Sequence, residues 1–442
     1  MALAQLDTNS LTSKRIPFAG LSPDDPASKP NHLGPEQLAV TIQGGYANNS
    51  SWLIIHTADR IVIIDNLAAF LDVSGPEVQL KPGHQTILPL NGSSIDHVII
   101  DESLIGAEQL ILKKSDSDKY LSISGQDFIR LFDRYQLLAF TACTPDQSGL
   151  ITTEKTALHH ALSIKKKLSQ PIEIPPLTST AQQLIEISAD PCADADDLVR
   201  LVELDPSLAG QVVGWASSPY YSAPGVVDSI QDAIVRVLGF DLVLNMALGL
   251  ALGAPLSQGS MATTAKAHFW RQSICCAVLM QKLNNKLPAK RQLPQGTAYL
   301  IGLLNNLGQL IINFTFPAQD VKLVHHLQFN PGIPPRFIEQ ILMGVTRDEI
   351  AAHIGTAWQL PKPIVMALLE QNNSHYQDDH ANLCYVATRL LSQHQIGLLP
   401  QEPIDSCVLG RLELSSEYLD QAMDEITEKK AEIDQLVVLM SC

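Results

Sequence analysis

The C-terminal part of the chain shows the spacing of amphipathic α-helices almost without interruption. Leu198, Leu201 and Val202 fall at positions i, i+3 and i+4, which lie on one face of a helix. Leu208 and Val212 repeat this apolar stripe in the following segment. Helices with one apolar face must bury that face against other helices, so this pattern predicts a large all-α domain.

Residues that begin and end helices support this prediction. In "ELDPSLAGQVV", Asp205 is suited to cap a helix, and Pro206 to occupy its first position, where the missing N–H has no cost. In "DSIQDAIVRVLGF", Ser229 and Asp232 resemble a capping box, and Gly239 is placed to end the helix. The final segment, "SSEYLDQAMDEITEKKAEIDQLVVLM", predicts one amphipathic helix that packs on the helical domain.

The N-terminal part of the chain has a different pattern. "LIIHTADRIVII", "HVIIDESL", "LILKK" and "YLSIS" are short β-branched runs separated by turn residues, and they predict strands with short helices between them. The chain is therefore expected to be a multidomain α+β protein, with a mixed α/β domain ahead of an all-α domain. The predicted limits are 1–135 for the mixed domain, 136–173 for a linker with a basic helical piece, 174–400 for the helical domain and 401–442 for the C-terminal helix.

Composition excludes several classes of protein. The chain has 442 residues, of which 45% are hydrophobic and 17% charged, so it has enough apolar residues for sizeable cores. Its formal net charge of −16 argues against binding to duplex nucleic acid, where phosphate neutralisation by Lys and Arg dominates affinity. No apolar run approaches the roughly 20 residues that span a bilayer. The N-terminus lacks the pattern of a secretory signal, and the seven cysteines form no CxxC pair. These features predict a cytoplasmic protein without membrane contact.

Motifs in the helical part resemble those of the HDOD family, the HD-related output domain of bacterial signalling proteins. They are "IPPLTSTAQQLIEI", "LVELDPSLAGQVVGWASSPYY", "SIQDAIVRVLGF", "GLLNNLG" and "IAAHIGTAWQLP", and they occur in this order between about residues 170 and 430. The resemblance implies an all-helical regulatory module. It also implies partners among signal-transduction components, such as those of two-component or cyclic di-GMP pathways.

The same alignment shows what stands where an active HD phosphohydrolase holds its metal ions. Two divalent metals need several His and Asp ligands from separate helices. The positions implied by the resemblance carry neutral amides and one cation instead: Gln272, Asn305, Asn306, Arg347, Gln371 and Asn372. We therefore predict no metal, no cofactor and no catalytic residue in this domain. "HYQDDH" (375–380) is the best local cluster of metal-binding residue types, and a solvated surface segment is the favoured interpretation of it.

The polar side chains left in the former metal site have two interpretations. A hydrogen-bonded network that stabilises the helical domain is one, and a pocket for a small, nucleotide-like ligand is the other, with Arg347 suited to a phosphate. Asn305 and Asn306 are neighbours in sequence and would point about 100° apart on a helix. We therefore expect one of them to face the pocket and the other to face a neighbouring helix or solvent.

The N-terminal part resembles the YbaK-type aminoacyl-tRNA deacylases, which are related to the editing domain of prolyl-tRNA synthetase. "LGPEQLAVTIQGG", "LIIHTADRIVIIDNLAAFL", "GHQTILPL" and "HVIIDESL" carry this resemblance over about residues 10–133. Val40 stands at or next to the position where that family has a lysine. Asp101 matches the strand-end Asp of the family, and Gly83 and Pro89 match its loop. An Asp at the end of a strand also commonly caps the following helix.

These observations favour a non-enzymatic signal-transduction protein that acts through protein or small-ligand binding. A metal-dependent phosphohydrolase with an atypical site is the first alternative. An aminoacyl-tRNA deacylase, or a protein that binds the tRNA end through the N-terminal domain, is the second. The sequence indicates neither the partner nor the oligomeric state.

Overall fold

A computed structural model shows the chain as two compact units. The first comprises Met1–Thr156 and Lys322–Ile333, and the second comprises Ala157–Val321 and Pro334–Cys442. The structure describes residues 19–21, 37–47, 50–57, 60–74, 77–80, 97–113, 120–130, 132, 135–143, 177–221, 225, 227–257, 263–330, 333–397 and 402–441.

A mixed β-sheet organises the first unit. The strands are β1 (Ala19–Leu21), β2 (Gln37–Ala47), β3 (Ser50–Thr57), β4 (Arg60–Val62), β5 (Gln79–Leu80), β6 (His97–Asp101), β7 (Gln109–Lys113), β8 (Tyr120–Ile123), β9 (Gln136–Leu138) and β10 (Thr141–Cys143). The order in the main sheet is β1-β8-β7-β2-β3-β6-β9, with β5 paired to β2, and β4 pairs separately with β10. β3 is antiparallel to β2 and parallel to β6. Its residues 52–57 are all buried, as a central strand covered on both faces requires.

Helices form most of the second unit. In the first unit lie α1 (Ile64–Phe70), α2 (Gly125–Ile129) and a 3-10 turn (Glu102–Gly106). The remaining helices are α3 (Ser179–Ala189), α4 (Ala195–Leu204), α5 (Pro206–Ala216), α6 (Ile230–Asp232, followed by a π-helix at Ala233–Leu238), α7 (Phe240–Ser257), α8 (Thr263–Lys286), α9 (Gln295–Leu304), α10 (Leu307–Thr315), α11 (Pro317–Phe329), α12 (Pro335–Met343), α13 (Arg347–Ala357), α14 (Lys362–Glu370), α15 (Asp379–Gln393), α16 (Ser406–Leu412), α17 (Ser416–Glu428) and α18 (Lys430–Ser441).

The caps expected from the sequence are present. The Asp205 side chain accepts hydrogen bonds from the amides of Ser207 and Leu208, and Pro206 is the first residue of α5. Ser229 caps α6 by accepting from the Asp232 N–H, which is one of the two bonds of the expected capping box. Gly239 ends the π-helix with a positive φ of 85° that favours glycine. The sequence-based prediction missed the π-helical stretch, because the apolar spacing of "AIVRVLGF" is compatible with an α-helix as well as with a π-helix.

Part of α11 belongs to the first unit. The division between the units falls inside this helix, after Val321, and the segment from Lys322 to Ile333 joins the sheet-containing unit. Phe329 lies in the same core as Trp52, with ring centroids 6.0 Å apart. A domain boundary at a single position in the sequence therefore does not describe this chain.

Asn330 and His326 attach this segment to the strand β4 and the start of α1. The side-chain nitrogen of Asn330 donates to the Val62 carbonyl at 3.2 Å, and its side-chain oxygen accepts from the Val62 N–H at 2.7 Å. This side chain therefore pairs with both backbone groups of Val62, as a neighbouring strand would. His326 accepts from the Ile64 N–H through Nε2 at 3.3 Å. Because Nε2 accepts, the ring is neutral with its proton on Nδ1, which lies 2.8 Å from the Lys322 carbonyl. Burial lowers the pKa of His326, which favours this neutral form.

Two expectations about segment limits change, and a third lies outside the described residues. Strands β9 and β10 follow residue 135, so the strands of the first unit extend into the stretch assigned to the linker. The basic helical piece at 157–170 and residues 171–176 of "PIEIPPL" lie outside the described residues. The predicted single C-terminal helix is wrong, because α16, α17 and α18 occupy this part of the chain and α17 is separated from α18 at Lys429. No Gly or Pro marks that interruption.

None of the described helices is by itself long and apolar enough to cross a membrane. One bent pair, Ile230–Leu238 with Phe240–Gly253, meets the length and composition criteria when taken together, across a bend of 117°.

Replacing Asn330 with Ala should weaken the first unit. The substitution removes two hydrogen bonds to Val62 and one to the His326 carbonyl, and it leaves buried backbone groups without partners, at a cost of about 2 kcal/mol. Amide hydrogen exchange in a peptide that covers residues 60–67 should become faster by a factor that corresponds to this loss of stability. The exposed Gln328→Ala on the same helix is the control, and equal exchange in both variants would contradict this role.

Candidate functional site

The "GLLNNLG" segment forms a break between two helices. α9 ends at Leu304 and α10 begins at Leu307, so Asn305 and Asn306 lie in a turn. The flanking glycines allow close approach of neighbouring helices. A Cβ on Gly302 would lie 2.5 Å from the Ala277 Cα, and one on Gly308 would lie 2.0 Å from the Arg347 carbonyl oxygen.

Both asparagines line one cleft in the second unit. The cleft has a volume of about 430 Å³ including its open mouth, and the residues that line it are Asn305, Asn306, Pro335, Arg336, Glu339, Arg347, Asp348, Gln371, Asn372, Thr388 and Glu402. Asn305 keeps helical dihedral angles (φ −51°, ψ −33°), and its side chain donates back to the Gly302 carbonyl. That one asparagine faces the cleft and the other a neighbouring helix or solvent stays a prediction.

The Asp348 carboxylate is at the centre of a buried network. Its Oδ1 accepts from the Gln371 amide at 2.7 Å, and its Oδ2 accepts from the Asn372 amide at 2.7 Å. Gln371 also donates to the Asn305 carbonyl at 3.1 Å, so the network connects the start of α13, the end of α14 and the turn after α9. Burial raises the pKa of Asp348 to about 6, and the nearby Glu339 adds to the rise.

A second carboxylate in the cleft is held by Arg347. Glu339 is fully buried, and both of its oxygens are engaged, one by the Arg347 guanidinium Nε and the other by the Arg347 backbone N–H at 2.9 Å. Such a pairing compensates for removing the charge from water. The Nη2 of Arg347 and the Oδ1 of Asn305 are buried and have no hydrogen-bond partner among the described residues.

The edge of the cleft carries a third carboxylate. Glu402 accepts from Arg389 at 2.8 Å and from Arg336 at 3.2 Å, and both bonds end on its Oε2. Arg389 also donates to the Asn372 side-chain oxygen at 3.2 Å, which connects this ion pair to the Asp348 network.

The structure brings together five of the six positions that the resemblance assigned to the former metal site. Asn305, Asn306, Arg347, Gln371 and Asn372 all line the cleft. Gln272 is buried but is not among the lining residues, and its side chain lies against Gly397 on the loop after α15.

Sequence reasoning missed Glu339, Asp348 and Glu402, the carboxylates that organise the site. The alignment compared this chain only with positions that ligate metal in active enzymes. Asp348 directly follows Arg347 in "TRDE", and that adjacency is the one signal in the sequence that could have indicated it.

No group of three or more His, Cys, Asp or Glu side chains in the described part of the chain is arranged to hold a metal ion. In the "HYQDDH" segment, Asp378 caps α15 through the amides of His380 and Ala381. Its carboxylate lies 3.1 Å from the His380 ring. Chemically, the cleft offers paired carboxylates, amide groups and guanidinium donors, which suit binding by hydrogen bonds.

Of the positions compared with aminoacyl-tRNA deacylases, the two that the structure describes, Val40 and Asp101, lie on different strands. Val40 is on β2, opposite Thr57 of β3, while Asp101 ends β6 on the other side of β3. Asp101 accepts from the amides of Ser103, Phe140 and Thr141 and caps the 3-10 turn, so its oxygens serve structure. Gly83 and Pro89 lie outside the described residues.

Comparisons with known proteins identify the helical part. Residues 174–374 match the family model of the HDOD domain, so the chain contains an HDOD domain. The match does not extend to Met1–Thr156, the N-terminal part of the first unit. The resemblance of that part to aminoacyl-tRNA deacylases is not supported by these comparisons.

Similar proteins share the fold over different lengths. A solved structure from Marinobacter aquaeolei VT8, described as a provisionally assigned signal transduction protein, is 26% identical, covers 98% of both chains and has a TM-score of 0.78. A provisionally assigned phosphohydrolase from Shewanella amazonensis SB2B is 18% identical, covers 64% of this chain and 99% of that chain, and has a TM-score of 0.51. An uncharacterized protein of Treponema pallidum (strain Nichols) is 23% identical over 290 residues, which are 64% of this chain and 54% of that protein. The chain thus matches about half the length of this last relative.

The free energy of unfolding should depend on pH in a way that reflects the raised pKa of Asp348. The pKa of this group rises from 3.8 to about 6 on folding, so the folded state holds the proton more tightly. Its contribution to the free energy of unfolding should therefore fall by about 3 kcal/mol as pH increases from about 4 to about 6. Above that range the contribution should stay constant.

Urea unfolding of the helical part, followed by circular dichroism between pH 4 and pH 7, measures this effect as the difference between the wild type and Asp348→Asn. Other carboxylates titrate in both proteins and cancel in the difference. The exposed Asp424→Asn serves as the control. A difference that does not change with pH would show that Asp348 titrates normally.

Proposed function

We propose that this protein is a non-hydrolytic regulator in signal transduction, in which the HDOD domain acts by binding a protein or a small ligand. A regulatory or signalling role is supported by the HDOD match and by the likeness to the Marinobacter protein over the whole chain. The finer proposal, that the domain binds and does not hydrolyse, rests on the cleft. Its partners are expected to be signalling proteins.

One observation carries the non-hydrolytic assignment. Glu339 and Asp348, the two buried carboxylates of the cleft, have all four of their oxygens engaged by the chain itself. A two-metal hydrolase needs carboxylate and imidazole ligands that are free to bind the ions and to generate a hydroxide. Here Arg347 binds the oxygens of Glu339, and the amides of Gln371 and Asn372 bind those of Asp348. Arg347 also adds a positive charge that would repel a cation.

A metal-dependent phosphohydrolase is the second candidate. The fold shared with the Shewanella protein and the presence of carboxylates in the cleft favour it. Aminoacyl-tRNA deacylation by the first unit is the third hypothesis, and it rests on sequence resemblance alone. The hydrogen bonds that Asp101 accepts from Ser103, Phe140 and Thr141 count against a catalytic role for that residue.

Hydrolysis by the full chain tests the proposal. The purified protein, incubated with Mn²⁺ or Mg²⁺ and bis(p-nitrophenyl) phosphate, should release no more product than the same protein with EDTA. The double variant Asn305→His/Asn306→Asp restores the histidine and aspartate of active HD proteins and should also be inactive. Its Asp348 would still be bound by Gln371 and Asn372, and Arg347 would remain in the cleft.

Metal content gives an independent readout of the same proposal. Elemental analysis after dialysis should find far less than one divalent ion per chain in both proteins. Metal-dependent turnover by the wild type would overturn the non-hydrolytic assignment. Turnover by the double variant alone would show that the remaining side chains of the cleft still support catalysis.

A further inference from the structure

Two arginines from separate helices meet on one carboxylate oxygen at the edge of the cleft. Arg336 near the start of α12 and Arg389 on α15 both donate to Oε2 of Glu402. Arg389 is 4% exposed, and its guanidinium lies 3.6 Å from the centre of the Tyr385 ring, which holds it in place. Two guanidinium groups directed at one point form the arrangement by which proteins bind carboxylate and phosphate anions.

Two buried guanidinium nitrogens of the second unit have no acceptor among the described residues. The Nη2 of Arg347, which lines the cleft, and the Nε of Arg389 are buried and lack a hydrogen-bond partner among the described residues. Buried donors of charged groups are costly to leave without acceptors. An anion that presents two or more oxygens to these donors would supply acceptors beyond the one Glu402 oxygen, Oε2, that Arg336 and Arg389 contact.

Glu402 differs from the other carboxylates of the cleft in how it is held. Glu339 and Asp348 lie on helices α12 and α13, and each has both oxygens engaged. Glu402 precedes α16 in a stretch without helix or strand, at 402–405, and binds both arginines through one oxygen. Its side chain is 20% exposed. Among these three carboxylates, Glu402 can therefore be displaced with the smallest change in the surrounding helices.

We propose that Arg336 and Arg389 form a binding site for a small oxyanion, a carboxylate or a phosphate group, and that Glu402 occupies this site when the ligand is absent. The ligand replaces the Glu402 carboxylate and releases the segment that carries it. This inference adds a ligand class to the proposed function but does not require it, because anion binding is measured without metal and without turnover.

Calorimetric titration of the full chain with inorganic phosphate and with acetate, in the presence of EDTA, tests the site. Glu402→Gln removes the competing charge and should lower the dissociation constant for at least one of the two anions by 10-fold or more relative to the wild type. The exposed Glu203→Gln makes the same change in net charge on α4 and should bind like the wild type. A preference for phosphate or for acetate identifies which source of oxyanion the site accepts.

Arg336 provides the complementary variant, because its side chain is 31% exposed whereas that of Arg389 is 5% exposed. Arg336→Gln in the Glu402→Gln background should reverse the gain. Equal binding by Glu402→Gln and Glu203→Gln, or a gain that survives the loss of Arg336, would overturn the proposal. If Glu402→Gln does not fold, Glu402→Asp keeps the charge but withdraws the carboxylate, and it should show a smaller gain of the same sign. Its failure to bind better than the wild type would likewise overturn the proposal.

Discussion

The hydrogen bonds from Gln371 and Asn372 to the Asp348 carboxylate organise the centre of the HDOD domain. Each amide occupies one carboxylate oxygen, and Gln371 continues to the backbone at Asn305. A buried carboxylate is costly unless its oxygens are engaged, so this network compensates for placing Asp348 where water is excluded. It also connects three segments that are distant in sequence. At the positions that the sequence resemblance compares with metal ligands, side chains of this chain bind one another and hold the helices together.

The buried pair of Glu339 and Arg347 adds a second constraint next to the first. Arg347 binds Glu339 through both its side chain and its backbone N–H, which fixes the start of α13 against α12. The same residue presents its carbonyl oxygen so close to Gly308 that no side chain fits there. The glycine that ends "GLLNNLG" and the arginine of "TRDE" therefore belong to one packing arrangement. Retention of the apolar and glycine frame of an HD helix is explained by helix packing, independently of any chemistry.

The sequence was sufficient for the helical domain and for much of its cleft. Apolar spacing and the caps at Asp205 and Ser229 predict the helices, because these signals are local. Asn305, Asn306, Arg347, Gln371 and Asn372 were placed together by resemblance alone. The carboxylates Glu339 and Glu402 could not be found in this way, because their roles depend on arginines of other helices. Glu339 binds Arg347, and Glu402 binds Arg336 and Arg389.

The first unit shows the limits of local patterns more clearly. The β-branched runs predict its strands, but no local signal indicates that the segment from Lys322 to Ile333 joins them. That attachment depends on side chains such as Asn330 and Phe329, whose partners are more than 250 residues away in sequence. The interruption at Lys429 is similar, because it occurs without a helix-breaking residue.

We infer that a network made by the chain itself occupies the cleft in place of metal ligands. Crystals of the full chain grown with manganese chloride test it most directly, since Mn²⁺ binds carboxylate and carbonyl oxygens and is located by its anomalous scattering. We expect no anomalous peak within bonding distance of Asn305, Asn306 or Asp348, and we expect Gln371 and Asn372 to remain bound to Asp348. A manganese ion coordinated by Asp348 with either asparagine would contradict it.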